Sequence, residues 1–380
     1  MRNTAFFFFS VLILLCIISC SSEGVVDDAF TVTVTFNGNG AKSGSMAPQR
    51  TGRGVETRLE ANAYEWPCHN FTGWNSASDG SGTAYTDGQS IRSKENITLY
   101  AQWELDPIIL TSDSTSWTDG NYYTLNSDVT MSWFVAVTGD VTLILADGYT
   151  LTAPKGIVVP EGNSLKIEGE GSGTLVSIGS GGQAGIGGGY DGNGGVITIN
   201  GGTVNATGNG GGAGIGGGDE GNGGEITING GTVTATGYEG GAGIGGGWQG
   251  NGGEITINNG TVTATGGDYG AGIGGGYDGN GGVITINGGT VNATGTDYGA
   301  GIGGGYLGNG GEITINSGTI NATGGALSPP GIGRGYDGSS DGTLTLGEGV
   351  VMKVSFDDSY WDDYDGTNRR RYMKTVEPQP

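Results

Sequence analysis

Residues 223–251 read GGEITINGGTVTATGYEGGAGIGGGWQGN, and the reading of this stretch decides the fold. Its landmark, Ala242-Gly-Ile-Gly-Gly-Gly, recurs at Ala184, Ala213, Ala271 and Ala300 with a spacing of 29 residues, and a degraded copy begins at Pro330. A period of this length marks an array in which each unit buries its apolar face only against its neighbours. Inside the unit, Ile226-Thr-Ile228 places two isoleucines on one face and threonine on the other. Asn229-Gly-Gly231 supplies a turn, and Thr232-Val-Thr-Ala-Thr236 then directs Val233 and Ala235 inward and three threonines outward. Ala242-Gly-Ile244 is a third, shorter strand. Three strands and three turns per period describe one coil of a parallel β-helix.

Stacked coils pair each strand with its own copy about 4.8 Å above, and identical residues then line up as ladders. Ile197, Ile226, Ile255, Ile284 and Ile313 form one expected internal column, and Ile186, Ile215, Ile244, Ile273 and Ile302 another. Asn200, Asn229, Asn258, Asn287 and Asn316 fall at one corner, where stacked amides hydrogen-bond one another. Less regular segments at 141–153, 165–167, 173–178 and 343–355 follow the same strand–turn plan. The solenoid is therefore expected over residues 113–357, as about eight coils spanning ~38 Å, with 358–380 as a C-terminal cap or tail.

Composition limits the partners. The chain holds 86 glycines and 9 prolines in 380 residues, a proportion that in a non-periodic sequence would indicate disorder. Here the period and the regularly placed Ile and Val make glycine a marker of turns and close backbone approach. The formal charge of -23 disfavours nucleic acid and anionic surfaces. Cations, neutral glycans and basic proteins stay open as ligands.

Residues 1–20 carry the marks of an export signal: Arg2, an apolar stretch over 5–18, and small Ser19 before Cys20. Ile17-Ile18-Ser19-Cys20 resembles a bacterial lipobox, in which cleavage leaves the cysteine as a lipidated N-terminus. The implied product is a lipoprotein of the cell envelope, held on a membrane through Cys20, at the outer membrane or cell surface. A linker over 21–29 follows. Of the remaining cysteines only Cys68 lies beyond the signal, so no intramolecular disulfide is expected.

Residues 30–104 form a separate module, joined to the solenoid by a linker over 105–112. Strand signals at 31–36 and 97–103 flank turn chemistry at Asp79-Gly-Ser-Gly82 and Asp87-Gly88, and Trp74 and Trp103 can anchor a small core. Val34-Thr-Phe-Asn-Gly-Asn-Gly40, the run from Phe71 to Tyr85 and Leu99-Tyr-Ala-Gln-Trp103 together resemble the Listeria–Bacteroides repeat, or internalin B-repeat. The resemblance implies a small β-grasp-like domain of bacterial surface proteins, acting as spacer or interaction module. Trp66-Pro-Cys-His69 departs from it, since the family carries a glycine and an aromatic there. The whole chain is thus expected to be all-β, a β-grasp-like domain followed by a parallel β-helix.

No catalytic constellation emerges. Parallel β-helices include polysaccharide lyases and hydrolases, but fold analogy is a weak warrant. No Lys or Arg lies between Lys166 and Arg334, and the only histidine is His69, outside the solenoid and read as a loop residue. The acids ride on near-identical loops, whereas a catalytic pair needs one defined separation. No cofactor and no metal set is expected. The better site candidate is the variable pair after each Gly-Gly-Gly: Tyr190-Asp191, Asp219-Glu220, Trp248-Gln249, Tyr277-Asp278, Tyr306-Leu307 and Tyr336-Asp337. Flat aromatic faces along a ridge suit sugar rings, with Tyr190, Trp248, Tyr277, Tyr306, Tyr336, Asp191 and Asp278 as glycan-contact candidates. The competing reading, that the rings cover glycine loops and the acids confer solubility, carries more weight from sequence alone. The expected function is a surface-anchored, non-catalytic structural or adhesive protein for a host or neighbouring-cell ligand. Glycan binding through the stripe ranks second, and a polysaccharide-active enzyme third.

Overall fold

The computed structural model describes residues 30–356 except 328, 348 and 349. The expected signal with Cys20, the linker at 21–29 and the cap at 358–380 lie outside the described residues. The described chain contains strands, turns and a single 3-10 position, and it divides into two compact units between Glu104 and Leu105, with Pro67–His69 grouped with the second.

In the first unit, a five-stranded sheet runs in the order Gln49–Gly52, Thr31–Asn37, Ile97–Leu105, His69–Asn75, Ala84–Tyr85. Thr31–Asn37 pairs parallel with Ile97–Leu105 and antiparallel with Gln49–Gly52. Alternation puts Val32, Val34 and Phe36 on the buried face, where Trp74, Leu99 and Ala101 complete the core. Phe71 sits edge-on to both Trp74 and Trp103, at 5.0 and 5.5 Å between ring centroids. Trp103 is only partly buried, and its indole N–H donates to the Gly38 carbonyl at 2.9 Å. His69 is the first residue of a strand, not a loop residue, and its Nδ1 lies 2.8 Å from the Pro67 carbonyl. At the departure from the repeat pattern, Cys68 takes a φ of 54°, the left-handed region that glycine occupies without strain. Its thiol is free.

The second unit is a stack of coils whose strands form three parallel sheets. Eight complete coils run from the strands Tyr122–Thr124, Val129–Thr130 and Val135–Thr138 to Glu312–Ile315, Thr319–Gly324 and Ile332–Gly333. Partial coils flank them: Ile108–Ile109 with Ser116–Thr118 at one end, Thr343–Leu346 with Val351–Phe356 at the other. Ile108–Ile109 already pairs with Tyr122–Thr124, so the solenoid reaches into the segment that the sequence suggested as a linker. Two apolar residues flanked by turns are too short a signal to be read as a strand.

All inter-coil pairing in the clean repeats is parallel and offset by one period, as in Ile226↔Ile255, Val233↔Val262 and Ile244↔Ile273. Each such coil contributes Ile226, Ile228, Val233, Ala235 and Ile244 or their copies to one continuous core, and Ala242 and its copies are buried as well. At roughly 1.5–3 kcal/mol for a fully buried isoleucine, three per coil offset much of the ordering cost of the glycine loops. The asparagine column forms as expected, with Nδ2 of Asn229, Asn258, Asn287 and Asn316 each donating 2.7 Å to Oδ1 of the copy before. It ends on Glu168, which accepts from Asn200 at 2.9 Å.

The second Gly of Ala-Gly-Ile-Gly has a specific reason. Gly245 sits at φ 135°, and a Cβ there would lie 2.0 Å from the carbonyl oxygen of Gly274 in the next coil. Any side chain would therefore part the coils. We expect Gly245→Ala to lower the unfolding midpoint measured by circular dichroism. Thr234→Ala, on the exposed outer face, should stay within about 0.5 kcal/mol of the parent. Equal midpoints for Gly245→Ala and the parent would refute the close-approach argument.

Candidate functional site

Two loops of each coil meet at one corner. The first leaves the threonine strand and the second leaves the short Ile-Gly strand. Ala242 N–H donates to Gly246 O at 2.9 Å, closing the short strand into a narrow arch and drawing the bases of both loops together. The second loop is then tied to the first loop of the preceding coil. Trp248 N–H donates to Gly211 O at 2.8 Å, Tyr277 N–H to Gly240 O at 2.9 Å, and Tyr306 N–H to Tyr269 O at 2.9 Å.

These bonds set Trp248, Tyr277, Tyr306 and Tyr336 in one row along the corner. Trp248 and Tyr277 stack at 4.5 Å with planes 9° apart, Tyr277 and Tyr306 lie at 5.6 Å and 41°, and Tyr306 and Tyr336 at 6.1 Å and 19°. A second row, which sequence reasoning missed, is formed by Tyr269 and Tyr298, stacked at 5.1 Å and 12°. The rows meet edge to face: Tyr269 on Tyr277 at 5.3 Å and 81°, Tyr298 on Tyr306 at 4.8 Å and 69°, Tyr298 on Tyr336 at 5.8 Å and 87°. The result is a herringbone, which suits the ring quadrupole in both directions and adds about 0.5–1.5 kcal/mol per pair beyond burial. The signal for the second row was the 29-residue spacing of Tyr269 and Tyr298. It was hidden because the equivalent position one coil earlier is Gly240.

Gly240 is also what Trp248 covers: a Cβ there would come within 2.3 Å of the indole ring. Tyr190 covers Gly182 in the same manner. Tyr190 does not join the herringbone. Asp219 occupies the row at the intervening coil, its N–H donating to Gly182 O at 2.7 Å, and Tyr190 stays 63% exposed.

Carboxylates border both rows. Asp278 and Asp337 follow rings of the first row, Asp268 and Asp297 precede those of the second, and Asp191 and Glu239 hold the equivalent positions beside Tyr190 and Gly240, all exposed. The Tyr306 hydroxyl donates to Asp337 Oδ2 at 3.1 Å, and this bond holds the phenol above its ordinary pKa. Asp219 is likewise held above the usual carboxylate range, first by desolvation and then by the charges of Glu220, Asp191 and Glu239. A second asparagine column, also missed, runs beneath: Nδ2 of Asn222, Asn251 and Asn280 donates to Oδ1 of the preceding copy at 3.0–3.2 Å. Among the described residues, no group of three or more His, Cys, Asp and Glu is arranged to hold a metal ion.

The geometry defines a β-helix repeat protein with an aromatic ridge. Residues 197–219, 226–248, 255–277, 284–306 and 313–335 match the Beta helix repeat family, each segment opening on a buried residue of the isoleucine column and closing at or beside the first aromatic row. Residues 33–102 match the Listeria-Bacteroides repeat domain. The chain therefore carries one Listeria-Bacteroides repeat domain followed by a run of β-helix repeats. No curated protein and no solved structure gives a significant match.

The acidic break in the row has a measurable consequence. Because the folded pKa of Asp219 exceeds its ordinary value of 3.8, the native state binds more protons than the unfolded state between the two values. Stability is therefore lost as pH rises through that interval. Asp219→Asn is expected to raise the melting temperature at pH 7 and to lose that advantage below about pH 3.8. No gain at pH 7 would contradict the charge crowding.

Proposed function

We propose that this protein is a cell-surface-anchored, non-catalytic structural or adhesive protein whose contact surface is the aromatic ridge. The supporting observation is the repetition itself. Aromatic and acidic loop residues recur from Trp248 to Asp337 along one corner of a stack whose backbone is hydrogen-bonded from coil to coil. A rigid, repeated surface gains avidity from many weak contacts without needing a pocket. Anchoring through Cys20 belongs to the same proposal, as does display at the cell envelope.

The ring geometry bears on the glycan-binding alternative. A sugar stacks on a ring face, and Trp248 and Tyr277 cover one another's faces at 4.5 Å and 9°. Tyr190 and Tyr336, exposed at 63% and 42%, are the candidates with the most open rings, which places stacking at the two ends of the stripe.

Both parts of the proposal are open to test in the full chain. Cys20→Ser is expected to move the protein from the membrane fraction to the soluble fraction; unchanged fractionation would refute the anchor. Cells displaying the parent chain should adhere to host or neighbouring-cell surfaces, and Trp248→Ala with Tyr277→Ala should abolish most of that adhesion. Undiminished adhesion would remove the ridge from the account. Release of product from a polysaccharide would replace the non-catalytic reading with an enzymatic one.

A further inference from the structure

We infer that the aromatic ridge docks a cationic, Lys/Arg-rich segment of a partner protein; the inference rests on the adhesive reading above and specifies its partner. The first ground is charge. Six exposed carboxylates follow the corner, Glu239, Asp268, Asp278, Asp297 and Asp337 beside the two rows and Asp191 beside Tyr190 beyond the break at Asp219, and no Lys or Arg lies between Lys166 and Arg334. Among the described residues, the ion pairs of the solenoid are Lys166–Glu168 and Arg334–Asp341, and neither includes any of these six. Among the described residues, no ion pair offsets the charge along the corner. The same charges act at Asp219, whose carboxyl is raised above its ordinary pKa first by desolvation and then by Glu220, Asp191 and Glu239. A field of one sign along a surface raises the local concentration of the opposite charge and steers its approach.

The second ground is the shape of the apolar surface between the acids. Stacked and edge-to-face as they are, Trp248, Tyr269, Tyr277, Tyr298 and Tyr306 stay half-buried and Tyr336 exposed, so aromatic surface remains for contact. Long Lys and Arg stems can lie along such surface while their heads reach the flanking carboxylates. Carboxylates recur along Glu239, Asp268 and Asp297 at the coil spacing of about 4.8 Å, and same-side residues of an extended peptide recur at about 6.8 Å. Flexible stems absorb that difference. A neutral glycan would need the ring faces, and nucleic acid would be repelled.

The experiment uses fluorescein-labelled deca-arginine and an uncharged Gly-Ser peptide of equal length, with binding to the full chain followed by anisotropy at low and high salt. Because the chain carries a net charge of -23, a polycation could bind it without specificity, so two variants of equal charge are compared. One is Glu239→Gln with Asp268→Asn and Asp297→Asn on the ridge. The other is Glu225→Gln with Glu254→Gln and Glu312→Gln on the outer face of the isoleucine strands, where all three side chains are exposed. The expected result is binding of deca-arginine alone, weakened about 10-fold or more by the ridge variant and less than about 3-fold by the other. Equal weakening by both variants, or no binding of deca-arginine at low salt, would overturn the inference. If the cell adhesion described above still depends on Trp248 and Tyr277 while deca-arginine fails to bind, the partner class is wrong and the adhesive role stands. Loss of both results would remove the adhesive role as well. Melting temperatures within a few degrees of the parent confirm that either triple variant is folded.

Discussion

Everything in the second unit depends on one constraint: successive coils pair in register, backbone on backbone, and in the clean repeats each residue meets its counterpart 29 positions on. Pairing of this kind tolerates no side chain where one coil's backbone touches the next. The Gly187, Gly216, Gly245, Gly274 and Gly303 column answers that demand, each with φ near 135° and the next coil's carbonyl at about van der Waals exclusion of any Cβ. The isoleucines then fill the interior that the glycines keep flat. An abundance of glycine that would ordinarily weaken a fold here permits closely stacked layers.

The same constraint shapes the corner. Once loops are stacked at the coil spacing, aromatic residues at one position have each other's faces as neighbours. Stacking along the axis follows from the repeat, and the edge-to-face contact between rows follows from the arch closed by Ala242 and Gly246. Charges on neighbouring loops are also brought together, and there the repeat is unfavourable: Asp219 is destabilised as an anion first by desolvation and then by Glu220, Asp191 and Glu239. Asparagine avoids that penalty because its amide both donates and accepts, which explains why the two corner columns are asparagine and not aspartate.

How much of this was legible in the sequence varies with the kind of residue. Val233 and Ala235 could be placed inside and Thr232, Thr234 and Thr236 outside from alternation alone, because a strand has only two faces. Ile226, Ile244 and the Asn229 column followed from the period. Tyr269 and Tyr298 did not, since they occur in only two copies and their contact with the first row depends on a loop closure that leaves no trace in residue type. Asn222 and Asn251 had the period but sat among glycines, with no strand to give them a direction. Ile108 and Ile109 were passed over because the regularity decays toward the first coil. Trp248 and Tyr277 were identified as members of one stripe, but their mutual stacking was visible only in three dimensions.

The account stands or falls on the register, and a distance across several coils tests it most directly. Thr203 and Thr319 are four coils apart in one outward column, linked through Thr232, Thr261 and Thr290. With Cys68 replaced by serine, spin labels at Thr203→Cys and Thr319→Cys can be read by pulsed electron paramagnetic resonance. In-register stacking predicts a narrow distribution centred near 19 Å, four times the interstrand spacing. A broad distribution, or one centred beyond about 30 Å, would contradict the stacked solenoid and with it the ridge.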